Sequence, residues 1–523
     1  MGVIIHQEIK RLVRWRGWPL TASLGLLLVI ALVAPLEEGI AIGGDDSFEL
    51  GKSLLLARDP GLADRMWNDQ PWLHTLLTAR LFRLLGEHAA IPRVFTLLST
   101  AALLWALWWL AGLAFHRDRG LGALAGGVAG VLYLTAPESS ILACSAMIGP
   151  PALCWAMVAA AIGLGTSPNR QHRQTLLWVG VGGILACAAH VKLTALIVSP
   201  ALVASLFVGR PGKSTLTFLA ALWGGFVTVF VVIALSSPSF SFQDLWGSHQ
   251  QARSEYLQAS GQENGFELRW LFQVPALLAA ALAGLVVSVR RGFSVFTVFT
   301  ICLLMTAVCI AFFQRPYWQF YLLQLYVPLS LLGGVGMVVL LRSALKPLRL
   351  GASQNGHSVS GGHAPLVGAA ACAMVALCLA FIPPSFTKDL RLLRSAPLAS
   401  EDAASLVMRE YASRTQWCYA RGYNLARAFH AGLMIPPELA VVSKKRFMIG
   451  GITEKEVLET VKQYQPEQLL LGSREVQDEQ WQQWVQAEYV LVYSASGEQL
   501  WVSKTLNPKS LPEKEERVKR FGL

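Results

Sequence analysis

The chain has 523 residues, 54% of them hydrophobic and only 15% charged, a balance too apolar for an ordinary soluble protein and expected of a polytopic membrane protein. Its formal net charge of +11 comes from basic residues scattered in short clusters between apolar runs, which is the pattern of membrane-protein loops and argues against a nucleic-acid partner. Of the eight cysteines, Cys144, Cys154, Cys187, Cys302, Cys309, Cys372 and Cys378 lie in apolar segments and Cys418 in the polar C-terminal part, with no disulfide or zinc spacing among them.

The first apolar run, residues 18–35, follows Lys10, Arg11, Arg14 and Arg16 and lacks a small-x-small cleavage site. At about 18 residues it can span a bilayer, so it reads as a retained signal anchor. Directly after it stands Gly43-Gly44-Asp45-Asp46-Ser47-Phe48, two adjacent carboxylates where the chain should leave the membrane. Ionisable groups so close to a bilayer cost free energy unless they face water or serve a site. The loop they open, residues 37–91, continues into residues 76–85, apolar on one face and basic on the other, a segment expected to lie along the interface.

Further apolar segments fall at 92–115, 120–136, 143–165, 175–189, 193–208, 215–236, 270–289, 293–313, 321–341 and 365–383, giving about eleven spans with the first. With the N-terminus cytoplasmic, alternate connections carry Lys10, Arg11, Arg14 and Arg16; Arg117 and Arg119; Arg170 and Arg173; Arg210 and Lys213; Arg290 and Arg291; and Arg342, Lys346 and Arg349. The short loops on the other side carry almost none beyond Lys192 and Arg315, so the positive-inside rule places the long loops and the tail outside. A second long loop, 238–269, is polar and contains Trp246, His249, Arg253, Glu255 and Tyr256; loops of such length are often functional.

From residue 384 onward the chain reads as a small α/β domain. Thr453-Glu454-Lys455-Glu456 is a capping box opening a helix to about Tyr464, and Pro466 ends it. Strands are expected at 468–471, 489–493 and 499–504, the last two as a hairpin around Ser496-Gly497, with a helix near 475–487 before them. No nucleophile or metal cluster stands out in this tail, which could shape an acceptor site, dock a partner or serve as a cap.

In this order the features resemble the GT-C superfamily of polytopic glycosyltransferases, especially protein O-mannosyltransferases of the dolichyl-phosphate-mannose-dependent type and the bacterial aminoarabinose transferase that modifies lipid A. The resemblance rests on Asp45-Asp46-Ser47-Phe48 in the first loop; on Asp69-Gln70-Pro71-Trp72-Leu73, Leu81-Phe82-Arg83-Leu84-Leu85-Gly86 and Arg93; on Ala189-His190-Val191-Lys192-Leu193-Thr194; and on Arg315-Pro316-Tyr317-Trp318-Gln319-Phe320-Tyr321 with Tyr326-Val327-Pro328. It implies a GT-C-like transmembrane domain over 1–383, with its catalytic loop at about 37–91, and an extracytoplasmic α/β domain over 384–523. The chain departs from the pattern in having Asp45-Asp46 for the usual Asp-Glu, and Ile148-Gly149-Pro150 where many members place another acid, which puts a second carboxylate or a divalent metal in doubt. Glu138 is a candidate replacement for that acid.

What the resemblance implies chemically is transfer of a sugar, with inversion, from a polyprenyl-phosphate donor to an envelope lipid, glycan or protein acceptor on the non-cytoplasmic face of the plasma membrane. Asp45 is then the general base and Asp46 the group that orients acceptor or base, against the plainer reading in which one of the two caps the helix that follows. Lys192 and Arg315, with Arg58 less specifically, are expected to meet the donor phosphate; as cations at helix ends they could equally bind lipid headgroups. Tyr317, Gln319, Tyr321, Gln70, Arg93 and His249 are expected to line the donor or acceptor pocket. No His, Asp and Glu spacing demands a metal, although a divalent ion is left open. The rival readings are a transporter or flippase of a lipid-linked substrate, against which the absence of an internal repeat counts, and an inactive scaffold of the same fold.

Overall fold

A backbone inside lipid must satisfy its own hydrogen bonds, so apolar runs of spanning length fold as helices. The computed structural model describes residues 17–40, 42, 43, 45–115, 117–165, 171–209, 212–238, 241, 243–258, 265–350, 364–495 and 497–506. The flanking basic residues Lys10, Arg11, Arg14, Arg16, Arg170 and Arg210 lie outside them, as do Gly44 and Ser496.

The helices, in chain order, are α1 (Trp18–Val33), α2 (Asp46–Arg58), α3 (Leu73–Leu85), α4 (Ala90–Leu113), α5 (Arg119–Leu134), α6 (Gly149–Leu164), α7 (Gln171–Val191), α8 (Val198–Gly209), α9 (Lys213–Ser236), α10 (Ser248–Gln258), α11 (Pro275–Arg290), α12 (Val295–Phe313), α13 (Leu323–Leu350) and α14 (Ala364–Arg394). Every apolar segment expected to span falls on one of them. Among the described residues five stretches are long and apolar enough to cross a membrane: Ala90–Leu113, Arg173–Val191, Lys213–Ser236, Val295–Phe313 and Gln319–Ser343. Shorter apolar helices lie at Trp18–Val33, Arg119–Leu134, Gly149–Leu164, Leu193–Gly209 and Pro275–Arg290.

The bundle is knitted where small residues let backbones approach, as is usual when lipid removes the hydrophobic drive between helices. On α11 and α13 a Cβ added to Gly284 would collide with the Leu332 carbonyl oxygen, and one added to Gly336 with the Ala280 oxygen. Residues 322–336 are buried throughout, whereas Val227, Val231, Val232 and Leu235 on α9 are exposed, as suits a helix facing lipid.

One boundary differs from expectation. The last apolar helix does not stop near 383 but continues through Pro383 and Pro384 to Arg394. Both rings are exposed, so they meet no packed neighbour, and Thr387 Oγ1 donates to the Pro383 carbonyl at 2.6 Å.

The tail adds α15 (Ala403–Tyr411), α16 (Asn424–His430), α17 (Lys444–Met448), α18 (Glu454–Tyr464) and α19 (Glu479–Glu488) around a four-stranded sheet. Its strands are β1 (Cys418–Tyr419), β2 (Gln468–Leu471), β3 (Tyr489–Ala495) and β4 (Glu498–Ser503), ordered β1-β2-β4-β3. The Thr453/Glu456 capping box is formed, and β3 and β4 make the expected antiparallel hairpin. Strand β1, which runs parallel to β2, was not anticipated. Tyr419 stacks on Trp481 inside a core that includes Leu469, Leu470 and Leu471.

The tail sits on the loop that carries the acidic pair. Ile40 N–H donates to the Pro397 carbonyl at 2.9 Å, Ala399 N–H to that of Glu38 at 2.7 Å, and Ser47 Oγ to that of Gly422 at 3.1 Å. Arg65 is paired with Glu438 at 2.7 Å, and Gln251 on α10 donates to the Ile449 carbonyl at 2.8 Å. Both long loops and the tail therefore gather at one end of the bundle.

Candidate active site

Gly43, at φ +91°, turns the chain after α1 in a conformation that an L side chain rarely adopts, and a Cβ there would press on Met147 Sδ at 3.0 Å. The turn delivers the two acids to the start of α2, where they meet opposite environments. Asp46 is fully buried and saturated: it accepts from Arg93 Nη2 at 2.5 Å and Nε at 3.4 Å, from Ala146 N–H at 2.5 Å and from Ile42 N–H at 3.3 Å. Arg93, equally buried, also donates to the Leu36 carbonyl at 2.8 Å. The pair therefore ties the end of the α1 turn, α4 and the turn before α6 to one point.

Asp45 is half-buried and, among the described residues, its carboxylate has no hydrogen-bond or ion-pair partner. Neither acid caps α2 through its side chain, so the capping alternative is not realised. Burial pushes the Asp45 carboxyl above its ordinary value; Lys192 opposes this, and the carboxylates of Glu49 and Asp69 add to it.

Lys192 stands opposite, in the extended residue between α7 and the turn Leu193–Ile197. It is buried, and its ammonium rests 4.9 Å from the Tyr321 ring centre and 5.6 Å from that of Phe320. Burial lowers its pKa, against the charges of Asp45, Asp69 and Glu49. It forms one wall of an apolar cleft, whose other walls include Met147, Pro150, Leu153, Phe320 and Tyr321. A Cβ on Gly149 would lie 3.9 Å from Lys192 Nζ. The position at which the resemblance expects an acid thus faces this lysine, with no side chain to offer it.

Around these groups is a buried charged framework. Glu49 and Lys52, one turn apart on α2, pair at 2.7 Å; Lys52 donates to Asn68 Oδ1 at 3.1 Å, Thr75 Oγ1 donates to Glu49 Oε2 at 3.2 Å, and His74 Nδ1 lies 3.6 Å from the same oxygen. Burial would raise the Glu49 pKa, but Lys52 and His74 outweigh it and hold it at about 2. Asp69 accepts from Lys445 Nζ at 2.6 Å. Against burial, Lys445, His249 and Lys52 hold Asp69 at about 2. The same ammonium lies 2.9 Å from His249 Nδ1, and burial together with Lys445 pushes His249 down to about 4, so the imidazole is neutral near pH 7.

Among solved structures, the fold is similar to that of ArnT from Cupriavidus metallidurans bound to undecaprenyl phosphate, with a TM-score of 0.62, 14% sequence identity, and coverage of 95% of this chain and 100% of that chain. It is also similar to ArnT from the same organism in the apo state, with a TM-score of 0.60, 14% identity, and coverage of 95% and 99%. The chain has a GT-C fold. No protein-family model matches the sequence, and no curated protein does, so the likeness is carried by three-dimensional arrangement.

Within this GT-C fold, the residues anticipated from sequence separate into two groups. Asp45, Lys192, Tyr321 and His249 surround Asp69 within electrostatic reach: Lys192 rests on the Tyr321 ring and feels both Asp45 and Asp69, and His249 feels Asp69 and Lys192. Arg58 is drawn away: it is paired with Glu87 at 2.6 Å and donates to the Gly432 carbonyl at 3.0 Å. Arg93 is held by Asp46 and is not among the residues that line the cleft beside Lys192. Arg315 donates to the carbonyls of Gln314 at 2.8 Å and Ala311 at 3.5 Å, turning back on its own chain. Tyr317 is buried among Phe266, Trp270 and Tyr321. Gln70 accepts from Asn68 Nδ2 through its carbonyl at 2.7 Å, and Gln319 begins a short turn and is half-buried. Glu138 sits near Asp389 and Lys388 instead of near Asp45.

Sequence reasoning passed over Glu49, Lys52 and Lys445. The first two carried a signal, an acid and a base at i,i+3 just after the acidic pair. Lys445 carried none. Among the described residues no group of three or more His, Cys, Asp or Glu side chains could hold a metal ion. The nearest approximation, Asp69 with His249, has the Lys445 ammonium between its donor atoms, so these residues do not fit a divalent ion.

Proposed function

We propose that the chain is an integral-membrane glycosyltransferase that moves a sugar from a polyprenyl-phosphate donor to an acceptor hydroxyl or amine on the non-cytoplasmic face, with inversion at the anomeric carbon. The observation that carries this reading is the Asp45 carboxylate, without a hydrogen-bond or ion-pair partner among the described residues, in the electrostatic reach of the buried Lys192 beside an apolar cleft. The cleft offers a wall for an isoprenoid chain, and Lys192 offers the only fixed charge among the residues that line it.

In the proposed reaction the acceptor oxygen or nitrogen attacks the anomeric carbon and its proton passes to Asp45. The bond from that carbon to the phosphate oxygen breaks, and its electron pair stays on the phosphate, where Lys192 stabilises the developing charge. Asp45 is suited to the base role because its carboxylate is free and its affinity for a proton is raised. Asp46 holds the turn that presents it. The fold shared with a protein bound to undecaprenyl phosphate supports a donor of that chemical class.

The reading is tested by mass spectrometry of lipids that co-purify with the wild-type chain and with Asp45→Asn. A glycosylated polyprenyl phosphate enriched on the variant supports a trapped donor and names the sugar. Ordinary phospholipid alone on both moves the assignment to a transporter or an inactive scaffold.

A further inference from the structure

Three segments far apart in sequence meet at one ammonium group. Lys445, on α17 of the tail, donates to Asp69 Oδ2 of the first long loop at 2.6 Å and to His249 Nδ1 of α10 at 2.9 Å, with Ser248 Oγ at 3.5 Å. The other ring nitrogen of His249 lies 3.3 Å from the Asp69 carbonyl oxygen. Because an ammonium can only donate, Nδ1 must be the acceptor and Nε2 must carry the proton toward that carbonyl. Both ring nitrogens and the ammonium are then engaged, and all three side chains are largely enclosed.

We propose that Lys445 is a positioning residue through which the tail domain completes the site, acting as the resident cation that fixes Asp69 and α10 beside Lys192. This rests on the glycosyltransferase reading and gives the tail a part in it. Asp69 is one of the three carboxylates, with Asp45 and Glu49, whose charge opposes the effect of burial on Lys192. By holding Asp69 ionised, Lys445 keeps one of those opposing charges in place beside the group assigned to the donor phosphate. The imidazole records the state of the arrangement: the charged groups facing His249 are Asp69, Lys445 and Lys192, and removing Lys445 takes away a positive neighbour while leaving a negative one.

The test uses the full-length protein in lipid nanodiscs, comparing wild type with Lys445→Met, Lys445→Arg and Asp69→Asn. In Lys445→Met, amide hydrogen exchange over residues 243–258 accelerates about tenfold or more as α10 loses its anchor. The NMR titration of His249 moves upward from about 4, and undecaprenyl phosphate binds several-fold more weakly. Lys445→Arg restores most of the protection and the binding, because a second cation meets the same carboxylate. Asp69→Asn, which leaves the Lys445 ammonium without its carboxylate, frees α10 without raising the His249 titration, because the positive neighbour stays and the negative one is gone.

Unchanged exchange and an unmoved His249 titration in Lys445→Met overturn the proposal. A cation-independent effect, in which Lys445→Arg fails as completely as Lys445→Met, overturns it as well. Failure of undecaprenyl phosphate to bind the wild type counts against the glycosyltransferase reading alone, because exchange and titration still decide the role of Lys445.

Discussion

Arg93 Nη2 lies 2.5 Å from Asp46 Oδ2 with both side chains wholly buried, while the carboxylate one residue earlier has no hydrogen-bond or ion-pair partner among the described residues. Breaking one side of a buried pair leaves an uncompensated charge, which typically costs about 3–5 kcal/mol. Arg93→Met is therefore expected to lower the stability of the protein by roughly 3 kcal/mol or more, read as a fall in apparent Tm by fluorescence-detected gel filtration. Asp46→Asn is expected to cost stability in the same way, because the amide oxygen can still accept from Ala146 N–H but the buried Arg93 guanidinium is left without its carboxylate. Two variants as stable as the wild type would show that this pair does not hold the turn.

Asp45→Asn should behave in the reverse way. Loss of a general base reduces transfer by about 10²–10⁴-fold, while the donor still binds because Lys192 is untouched. The stability effect follows from the direction of the pKa shift. A carboxyl whose folded pKa is raised binds its proton more tightly in the folded state, so its ionised form penalises folding at all pH values above the folded pKa. Removing it should leave apparent Tm unchanged or higher at pH 7, and equal to that of the wild type at acid pH. In the wild type the transfer rate should rise with pH through a pKa above the ordinary aspartate value of 3.8. Full activity in Asp45→Asn removes Asp45 from the base role.

The helices were legible because lipid leaves an apolar run of spanning length no other way to satisfy its backbone. The capping box at Thr453 and the β3–β4 hairpin were legible because their signals are local. Strand β1 was not: two residues, Cys418 and Tyr419, are too few to show periodicity, and they are a strand only because β2 lies alongside. The same division runs through the site. The acidic pair and Lys192 announce themselves by being charged at the ends of apolar runs. The consumption of Arg93 by Asp46, the diversion of Arg58 to Glu87 and the arrival of Lys445 at Asp69 all depend on long-range packing. The last apolar segment was expected to end at 383, yet the helix continues to Arg394 through Pro383 and Pro384, whose rings are exposed.

Lys192→Met should remove the charge opposite the donor phosphate while keeping most of the apolar stem that packs on Tyr321. Charge-assisted hydrogen bonds to a departing oxygen are worth a few kcal/mol, so a loss of about 10²–10³-fold in transfer is expected. Lys192→Arg keeps the charge but is bulkier in a closed space, and it should recover only part. The lowered lysine pKa adds a pH signature: binding of undecaprenyl phosphate should weaken as pH rises through a value below the ordinary lysine 10.5. The binding curve of Lys192→Met should be flat over the same range. A wild-type curve that is also flat would detach the donor phosphate from Lys192.

Glu49 and Asp69 give the protein a defined weakness toward acid. Both are held at about 2, below their ordinary values of 4.5 and 3.8, so the folded state binds their protons less tightly than the unfolded chain does. The stability they confer is present in full above the ordinary carboxylate values and is lost as pH falls from there toward 2. Apparent Tm is expected to drop steeply below about pH 4.5, in the range where unfolded-state carboxyls begin to take up protons. Glu49→Gln with Asp69→Asn should flatten that drop at the cost of a lower Tm at pH 7, where the charged partners Lys52 and Lys445 are left without their carboxylates. Asp45→Asn changes the curve in the opposite sense, improving stability only where Asp45 would be ionised, so thermal scans across pH separate the acid that is poised from the acids that are paired. An acid limb that persists unchanged in the double variant assigns the drop to other carboxylates and leaves the Glu49 and Asp69 pairs without a measurable part in it.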